Sequence, residues 1–176
     1  KGRLKAAIQH ICAIAEDLTR NGYNILIISD RRTDSKNAPI PSLIATAAIH
    51  HHLIEEGLRG NTSLVIESGD TRETHHFATL IGYGASAVNP YMAFATIAQL
   101  KKQKTFDAKY SLDDLIGTYN KAIGKGLLKI MSKIGISTLQ SYQGAQIFEA
   151  VGINSEVVEE CFKGTVSRIE GMGFDG

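Results

Sequence analysis

The chain has 176 residues, enough for one domain with a sizeable core. Its 43% apolar and 21% charged residues are an ordinary globular balance, which excludes a largely disordered chain. A formal net charge of +1, with Lys101–Lys104 as the only basic run, excludes a strong electrostatic pull toward nucleic acid or an anionic membrane. The first element is a helix from Lys5 to Arg20, with Ala7, Ile8, Ile11, Cys12, Ala15 and Leu18 at helical spacing and Asn21-Gly22 as its stop. Tyr23 to Ile28 follows as a buried strand, with Asn24–Ile28 its paired part, ending at Ser29-Asp30-Arg31. Pro39 and Pro41 precede a helix from Ser42 to Glu56, closed by Gly57. Ser63 to Glu67 is the second strand, ending at Ser68-Gly69-Asp70, and Thr71 to Ile81 the next helix, stopped by Gly82. Ala85 to Val88 is a third strand ending at Asn89-Pro90, and Tyr91 to Leu100 is again helical. Leu112 to Ser132 reads as a helix broken by Gly135. Ile136 to Leu139 reads as a fourth strand ending at Gln140-Ser141-Tyr142, with Gly144 to Val151 as the helix after it. Glu156 to Phe162 is a last helix, and the glycine-rich tail Gly171 to Gly176 the start of a linker.

Strand, polar turn and helix thus repeat. The expectation is a single α/β domain over residues 1–176: repeated strand–helix units, a mostly parallel sheet and a barrel-like partial topology. Asn24–Ile28, Ser63–Glu67, Ala85–Val88 and Ile136–Leu139 should be parallel neighbours in one sheet, because no hairpin signal separates them. In such sheets chemistry collects past the carboxyl ends of the strands. The residues to watch there are Asp30, Arg31, Glu67, Asn89 and Tyr142.

Other groups of reactive residue types have plainer readings. Successive helix residues point ~100° apart, so His50-His51-His52 cannot converge on one ion, and His75-His76 has the same geometry. Polar contacts at a helix interface account for both. Gly82-Tyr83-Gly84 follows a helix and reads as a helix stop plus tight turn rather than a dinucleotide fingerprint. Gly124-Lys125-Gly126 lacks P-loop spacing, and no serine sits on a nucleophile elbow. Asp30 and Glu67 could be paired carboxylates for acid–base work, or helix caps. Two cysteines, Cys12 and Cys161, are too few for a disulfide framework and fit a reducing compartment. No apolar run approaches the ~18 residues needed to span a bilayer. Lys1 is not an initiator Met, so the sequence is expected to begin inside something larger.

Four segments carry more information jointly than singly. Ser29-Asp30-Arg31 leads to Ala38-Pro39-Ile40-Pro41-Ser42-Leu43; His50-His51-His52-Leu53-Ile54 leads to Gly57-Leu58-Arg59. Glu67-Ser68-Gly69-Asp70-Thr71-Arg72-Glu73 runs into His75-His76-Phe77-Ala78, Ile81-Gly82-Tyr83-Gly84-Ala85 and Ala87-Val88-Asn89-Pro90-Tyr91. The stretch from Gly126 to Thr138 precedes Ser141-Tyr142-Gln143-Gly144-Ala145-Gln146. In this order and spacing they closely resemble the large subunit of glutamate synthase, in the later part of its central domain, over nearly the whole chain. The chain departs from that pattern at Gln143, where Arg is common, and at Thr71 and Thr74, where Ala and Val are common.

The resemblance implies a parent enzyme that hydrolyses glutamine at an amidotransferase domain and passes ammonia through an internal tunnel. At a flavin site, 2-oxoglutarate is reductively aminated to glutamate with FMN and a 3Fe-4S cluster. Electrons come from a pyridine-nucleotide-dependent small subunit or from ferredoxin, and the location is cytoplasmic or plastid. The amino-terminal cysteine nucleophile, the close cysteine triplet and the flavin-barrel Gly-Glu-Gly-Gly stretch are absent here. The segment is therefore expected to supply no catalytic, cofactor-binding or metal-ligating residue, and to connect domains and support the tunnel. Its partners would be the amidotransferase and flavin domains, with no nucleic acid and no membrane. Asp30, Arg31, Glu67, Asn89 and Tyr142 are the interface or tunnel candidates. Arg31 is expected to pair with Asp30 or Glu67; a buried pair would cost roughly 3–5 kcal/mol to break. The plainer alternative has each residue cap its own helix. Two other readings stand beside this one: a free-standing α/β structural or binding module, and a small phosphate- or flavin-binding barrel enzyme.

Overall fold

The computed structural model describes residues 3–175, as a mixed α/β fold with two small parallel sheets. Helix α1 (Arg3–Arg20) buries Ile8, Cys12, Ala15 and Thr19, a stripe at three- and four-residue spacing. Strands β1 (Ile25–Ser29), β2 (Ser63–Glu67) and β3 (Ala87–Asn89) form the main sheet in the order β1-β2-β3, all parallel. Between them run α2 (Ser42–Glu55), followed by a short 3-10 turn at Arg59–Asn61, and α3 (Thr74–Gly82). Then come α4 (Tyr91–Lys102), α5 (Leu112–Ile134), the short α6 (Leu139–Tyr142), β4 (Glu149–Ile153), α7 (Ser155–Cys161) and β5 (Val166–Met172). No closed barrel forms among the described residues. The core is one cluster in which Leu26, Leu64 and Ile66 of the sheet meet Ile8 of α1, Ile49 and Leu53 of α2, Leu80 of α3 and Val157 of α7. No helix among the described residues is long and apolar enough to cross a membrane.

Three of the four expected parallel strands are neighbours in one sheet. The fourth is not a strand. After α5 the chain reverses at Gly135 (φ +75), with Ile136 N–H donating to Met131 O, and Thr138 Oγ1 then accepts from Ser141 N–H at 3.3 Å to start α6. A threonine that can cap a turn defeats a β-branched run of only four residues. The expected helix from Gly144 to Val151 is also replaced: positive φ at Gly144 (+76) and Gln146 (+52) interrupts helical backbone, and Glu149 opens β4 instead. Strand β4 pairs in parallel with β5, with register shifts around Val151 and Gly152. β5 takes in Gly171 and Met172, so the described part of the glycine-rich tail begins inside a strand; Gly176 lies outside the described residues. A Cβ on Gly171 would overlap the Gly152 carbonyl, which is how closely the two backbones pass. Smaller boundary changes occur at α3, which starts at Thr74 after its Glu73 cap, and at β3, which starts at Ala87.

Helix α5 carries a complete capping box. Ser111 Oγ accepts from Asp114 N–H at 3.0 Å, and the Asp114 carboxylate accepts from Ser111 N–H at 2.9 Å. Ser111→Ala is expected to lower stability by about 1 kcal/mol. Urea denaturation with an unchanged m-value would check it; no shift in midpoint would mean that α5 needs no cap.

Candidate functional site

The carboxyl ends of the three main strands meet as their register requires: Ser29 lies beside Glu67, and Glu67 beside Asn89. Glu67 is the hub. Its carboxylate accepts from Ser29 Oγ at 2.6 Å and Asn89 Nδ2 at 3.2 Å, and pairs with Arg31 Nε at 2.6 Å. These partners, the Ser29 hydroxyl foremost and then Arg31, hold the Glu67 carboxyl below its ordinary range. A carboxylate so supplied with donors stays ionised and is a poor proton donor, which argues against acid–base work by Glu67.

Asp30 does a related job one position on. Its Oδ2 accepts from Gly69 N–H at 2.8 Å, while its main-chain N–H donates to Glu67 O at 3.2 Å. Its other carboxylate oxygen, Oδ1, is buried without a hydrogen-bond partner. The neighbouring Asp30 carboxylate raises the pKa of the Tyr91 phenol, although no hydrogen bond of normal geometry joins them. The Arg31 guanidinium stacks 4.1 Å from the centre of the Tyr91 ring. Behind the edge, Ser42 Oγ donates to Ser68 Oγ at 2.9 Å, fixing α2 to the β2 turn. A cleft of about 410 Å³ opens beside Asp30, lined also by Ile28, Arg32, Asn37 and Pro39.

Asp30, Arg31, Glu67 and Asn89 therefore share one edge. Their side chains bridge neighbouring strand ends rather than cap the helices that follow: α2 and α4 begin at Pro41 and Pro90 with no side-chain cap. Arg31 pairs with Glu67, but Arg31 is 52% exposed and Glu67 21%, so the pair is a solvent-screened surface ion pair. The larger cost expected of a buried pair does not apply. Tyr142 is elsewhere. It is 1% exposed, and its hydroxyl donates to Ala78 O at 3.0 Å, against the second half of α3. Its placement at the edge depended on the fourth strand. With Gln143 Nε2 donating to Ala85 O and Gly144 N–H to Gly82 O, Tyr142 secures the α3–β3 turn. Of the other departures from the family pattern, Thr71 is buried, and Thr74 lies where a Cβ on Gly126 would be, so α3 and α5 pass closely.

Three of the histidines have separate partners, while His51 Nε2 is buried without a hydrogen-bond partner. His50 Nδ1 accepts from Arg59 Nε at 2.9 Å; His52 Nε2 and Glu16 Oε2 are 2.9 Å apart; His76 Nδ1 accepts from Arg72 N–H at 3.1 Å. Among the described residues no group of three or more His, Cys, Asp or Glu is placed to hold a metal ion. Burial pushes the Cys12 thiol up to about 11 and the Cys161 thiol to about 12, so both are neutral and weakly nucleophilic. Sequence reasoning missed Tyr91, whose only signal was its place just after the Asn89-Pro90 tip. It also missed the Arg59–His50 contact, which has no local signal.

The family model of the glutamate synthase central domain matches residues 1–154. This chain belongs to that family. It is 48% identical to the glutamate synthase [NADH] of Schizosaccharomyces pombe over 97% of its own length and 8% of that protein's. It is 46% identical to the glutamate synthase [NADPH] large chain of Bacillus subtilis, over 96% of this chain and 11% of the relative. It is 42% identical to the ferredoxin-dependent glutamate synthase 1 of Arabidopsis thaliana, over 99% of this chain and 11% of the relative. The chain thus spans about a tenth of the length of these glutamate synthases.

Proposed function

We propose that this segment serves a glutamate synthase as a connecting and tunnel-supporting scaffold. In this reading the parent converts glutamine and 2-oxoglutarate to two glutamates with FMN and a 3Fe-4S cluster, and the chemistry resides in its other domains. The bound groups would supply electron transfer there. The residues of this segment supply rigid placement. The observation that carries the reading is the Glu67 hub, which ties three strand ends and Arg31 into one polar edge. An ionised carboxylate surrounded by donors fixes loops without competing for protons. Arg31, stacked on Tyr91 and half exposed, is the group on this edge best placed to meet another domain.

The test uses full-length glutamate synthase with Arg31→Ala. Glutamine hydrolysis is expected to persist at near wild-type rates. Glutamate formation from glutamine should fall several-fold, with free ammonia appearing in the medium, because a domain contact worth about 1–2 kcal/mol sets the coupling. Arg31→Lys should recover only part of it, since an ammonium lacks the planar face that stacks on Tyr91. Wild-type half-reactions and wild-type coupling in Arg31→Ala would end the idea that this edge connects the two sites.

A further inference from the structure

Helix α5 keeps one face for its own fold. Ile123 and Met131 are buried there, and Tyr119 meets Phe77 of α3 and Phe94 of α4 edge-on. The opposite face is basic. Lys121, Lys125, Lys129 and Lys133 recur every fourth residue, an exposed ridge ~18 Å long. None of the four joins an ion pair or hydrogen bond among the described residues. Only Lys133 lies in the last turn, where the helix dipole favours a cation. Like charges at four-residue spacing repel, so the ridge weakens the helix that carries it. The imbalance is local: residues 91–134 hold eight lysines, three aspartates and no arginine or glutamate, in a chain of net charge +1.

Beside the ridge the helix backbone is bare. Gly117, Lys121, Gly124 and Leu128 follow one another at steps of four, three and four residues, the spacing of a seam by which helices pair. At 100° per residue they lie within ~60° of one another around the axis. Glycine inside a helix costs stability, and internal packing requires only one of the three in α5. A Cβ on Gly126 would overlap Thr74, whereas a Cβ on Gly117 or Gly124 would meet nothing within 4 Å. Leu128 is 66% exposed at the end of the same seam. The row is therefore a shallow groove with room for a neighbouring helix, one apolar contact and one cation inside it.

We propose that this face of α5 docks an acidic amphipathic helix of a separate protein. Its aliphatic side chains would lie over Gly117, Gly124 and Leu128, and its carboxylates opposite Lys121 and along Lys125 and Lys129. Charge complementarity selects carboxylates, and a cation within the seam fixes the register of its partner. The face offers no arginine and no exposed aromatic ring on which a base could stack, which disfavours nucleic acid. Leu128 is its one large apolar side chain, too little to insert into a membrane. A separate protein is favoured over a permanent neighbour in the same polypeptide, because lysine is depleted in the cores of lasting interfaces and unpaired ammonium groups are costly to desolvate. The inference does not rest on the coupling role of Arg31, which lies at the carboxyl edge of the sheet.

The test uses the full-length enzyme and a fluorescent synthetic peptide of about three heptads, with leucine at a and d and glutamate at e and g. Anisotropy should report saturable binding that weakens at least about tenfold as salt rises from about 50 to 200 mM. The same peptide with lysine in place of glutamate should not bind. Gly117→Leu with Gly124→Leu fills the groove while raising helix propensity, so the enzyme should stay folded and active and lose the peptide. Lys121→Gln, Lys125→Gln and Lys129→Gln together should weaken binding at least about tenfold and leave activity near wild type. No binding to the wild type, or unchanged binding to the glycine variant, would overturn the proposal. Anionic vesicles or single-stranded DNA binding as well as the acidic peptide would overturn it too. So would protection of these lysines from acetylation in the enzyme alone: protection at every dilution assigns the face to the enzyme's own domains, and protection lost on dilution assigns it to a second copy.

Discussion

Gly84→Ala is expected to destabilise this segment by about 3–5 kcal/mol, more than any single surface change. Gly84 closes α3 with φ +106, beyond the left-handed region that other residues visit, so a side chain there is strained by about 1–3 kcal/mol. Space compounds the strain. A Cβ would sit 2.8 Å from Cε1 of His50 and closer still to Nδ1. His50 cannot move aside, because it is only 9% exposed and its Nδ1 accepts from Arg59 Nε. The same guanidinium donates to Thr62 O at 2.5 Å and to Gly84 O at 2.7 Å, so displacing His50 also disturbs the tie between α2, β2 and the α3–β3 turn. Gly22→Ala is the matching control: φ is +87 there, but nothing lies within 4 Å of a Cβ. Urea denaturation of both variants separates the two contributions. If Gly84→Ala cost no more than Gly22→Ala, the His50–Arg59 contact would not be the constraint described.

The parts of the fold that could be read from the sequence are those where local pattern and tertiary demand agree. Ile25-Leu26-Ile27-Ile28 and Ser63-Leu64-Val65-Ile66-Glu67 are β-branched runs bounded by polar turns, and both are strands. The stretch from Ile136 to Ile153 is where they part. Ile136-Ser137-Thr138-Leu139 has strand propensity, yet Thr138 caps the short helix α6 instead, its side chain accepting from Ser141 N–H. Glu149-Ala150-Val151-Gly152-Ile153 has the composition of a helix end, but its partner β5 is seventeen residues on from Glu149, a pairing no local pattern announces. The continuous apolar run in β1 reads as a buried strand, but only Leu26 of it is fully buried; Ile25 and Ile27 on the other face of the strand are exposed.

The edge residues were legible for a topological reason. Once three parallel strands are assigned, their last residues must lie side by side, and Asp30, Arg31, Glu67 and Asn89 follow. What side chains do there was not legible. Capping and ion pairing use the same residue types, and only the distances separate a carboxylate that holds its own helix from one that bridges two strands. Tyr142 failed with the strand that was to carry it. The Arg59–His50–Gly84 contact spans nine and twenty-five residues in sequence, and its one visible component, Gly84, reads equally well as a helix stop.

Acidification from pH 6.5 to about 4 should cost this segment roughly 2–3 kcal/mol through His50. Burial first, then the Arg59 guanidinium and His51, lower the His50 pKa from 6.5 to about 4. A base with a depressed folded-state pKa binds a proton more readily when unfolded. Its stabilising contribution is therefore complete above pH 6.5 and is lost as pH falls to the folded value. His51 shifts in the same direction, again mainly through burial, and adds to the slope. The depressed carboxyls Glu16 and Glu67 act in a lower window, starting near their ordinary value of 4.5, so the interval between pH 6.5 and 4.5 belongs to the histidines. His50→Asn isolates the effect. The amide oxygen can take the place of Nδ1 as acceptor for Arg59, so the contact is kept while the titration is removed. Unfolding free energy measured by urea denaturation at several pH values should then fall less steeply through that interval, with only the His51 contribution left. An unchanged slope in His50→Asn would show that the proton is taken up elsewhere, and that the neutral His50–Arg59 pair is not what acid disrupts.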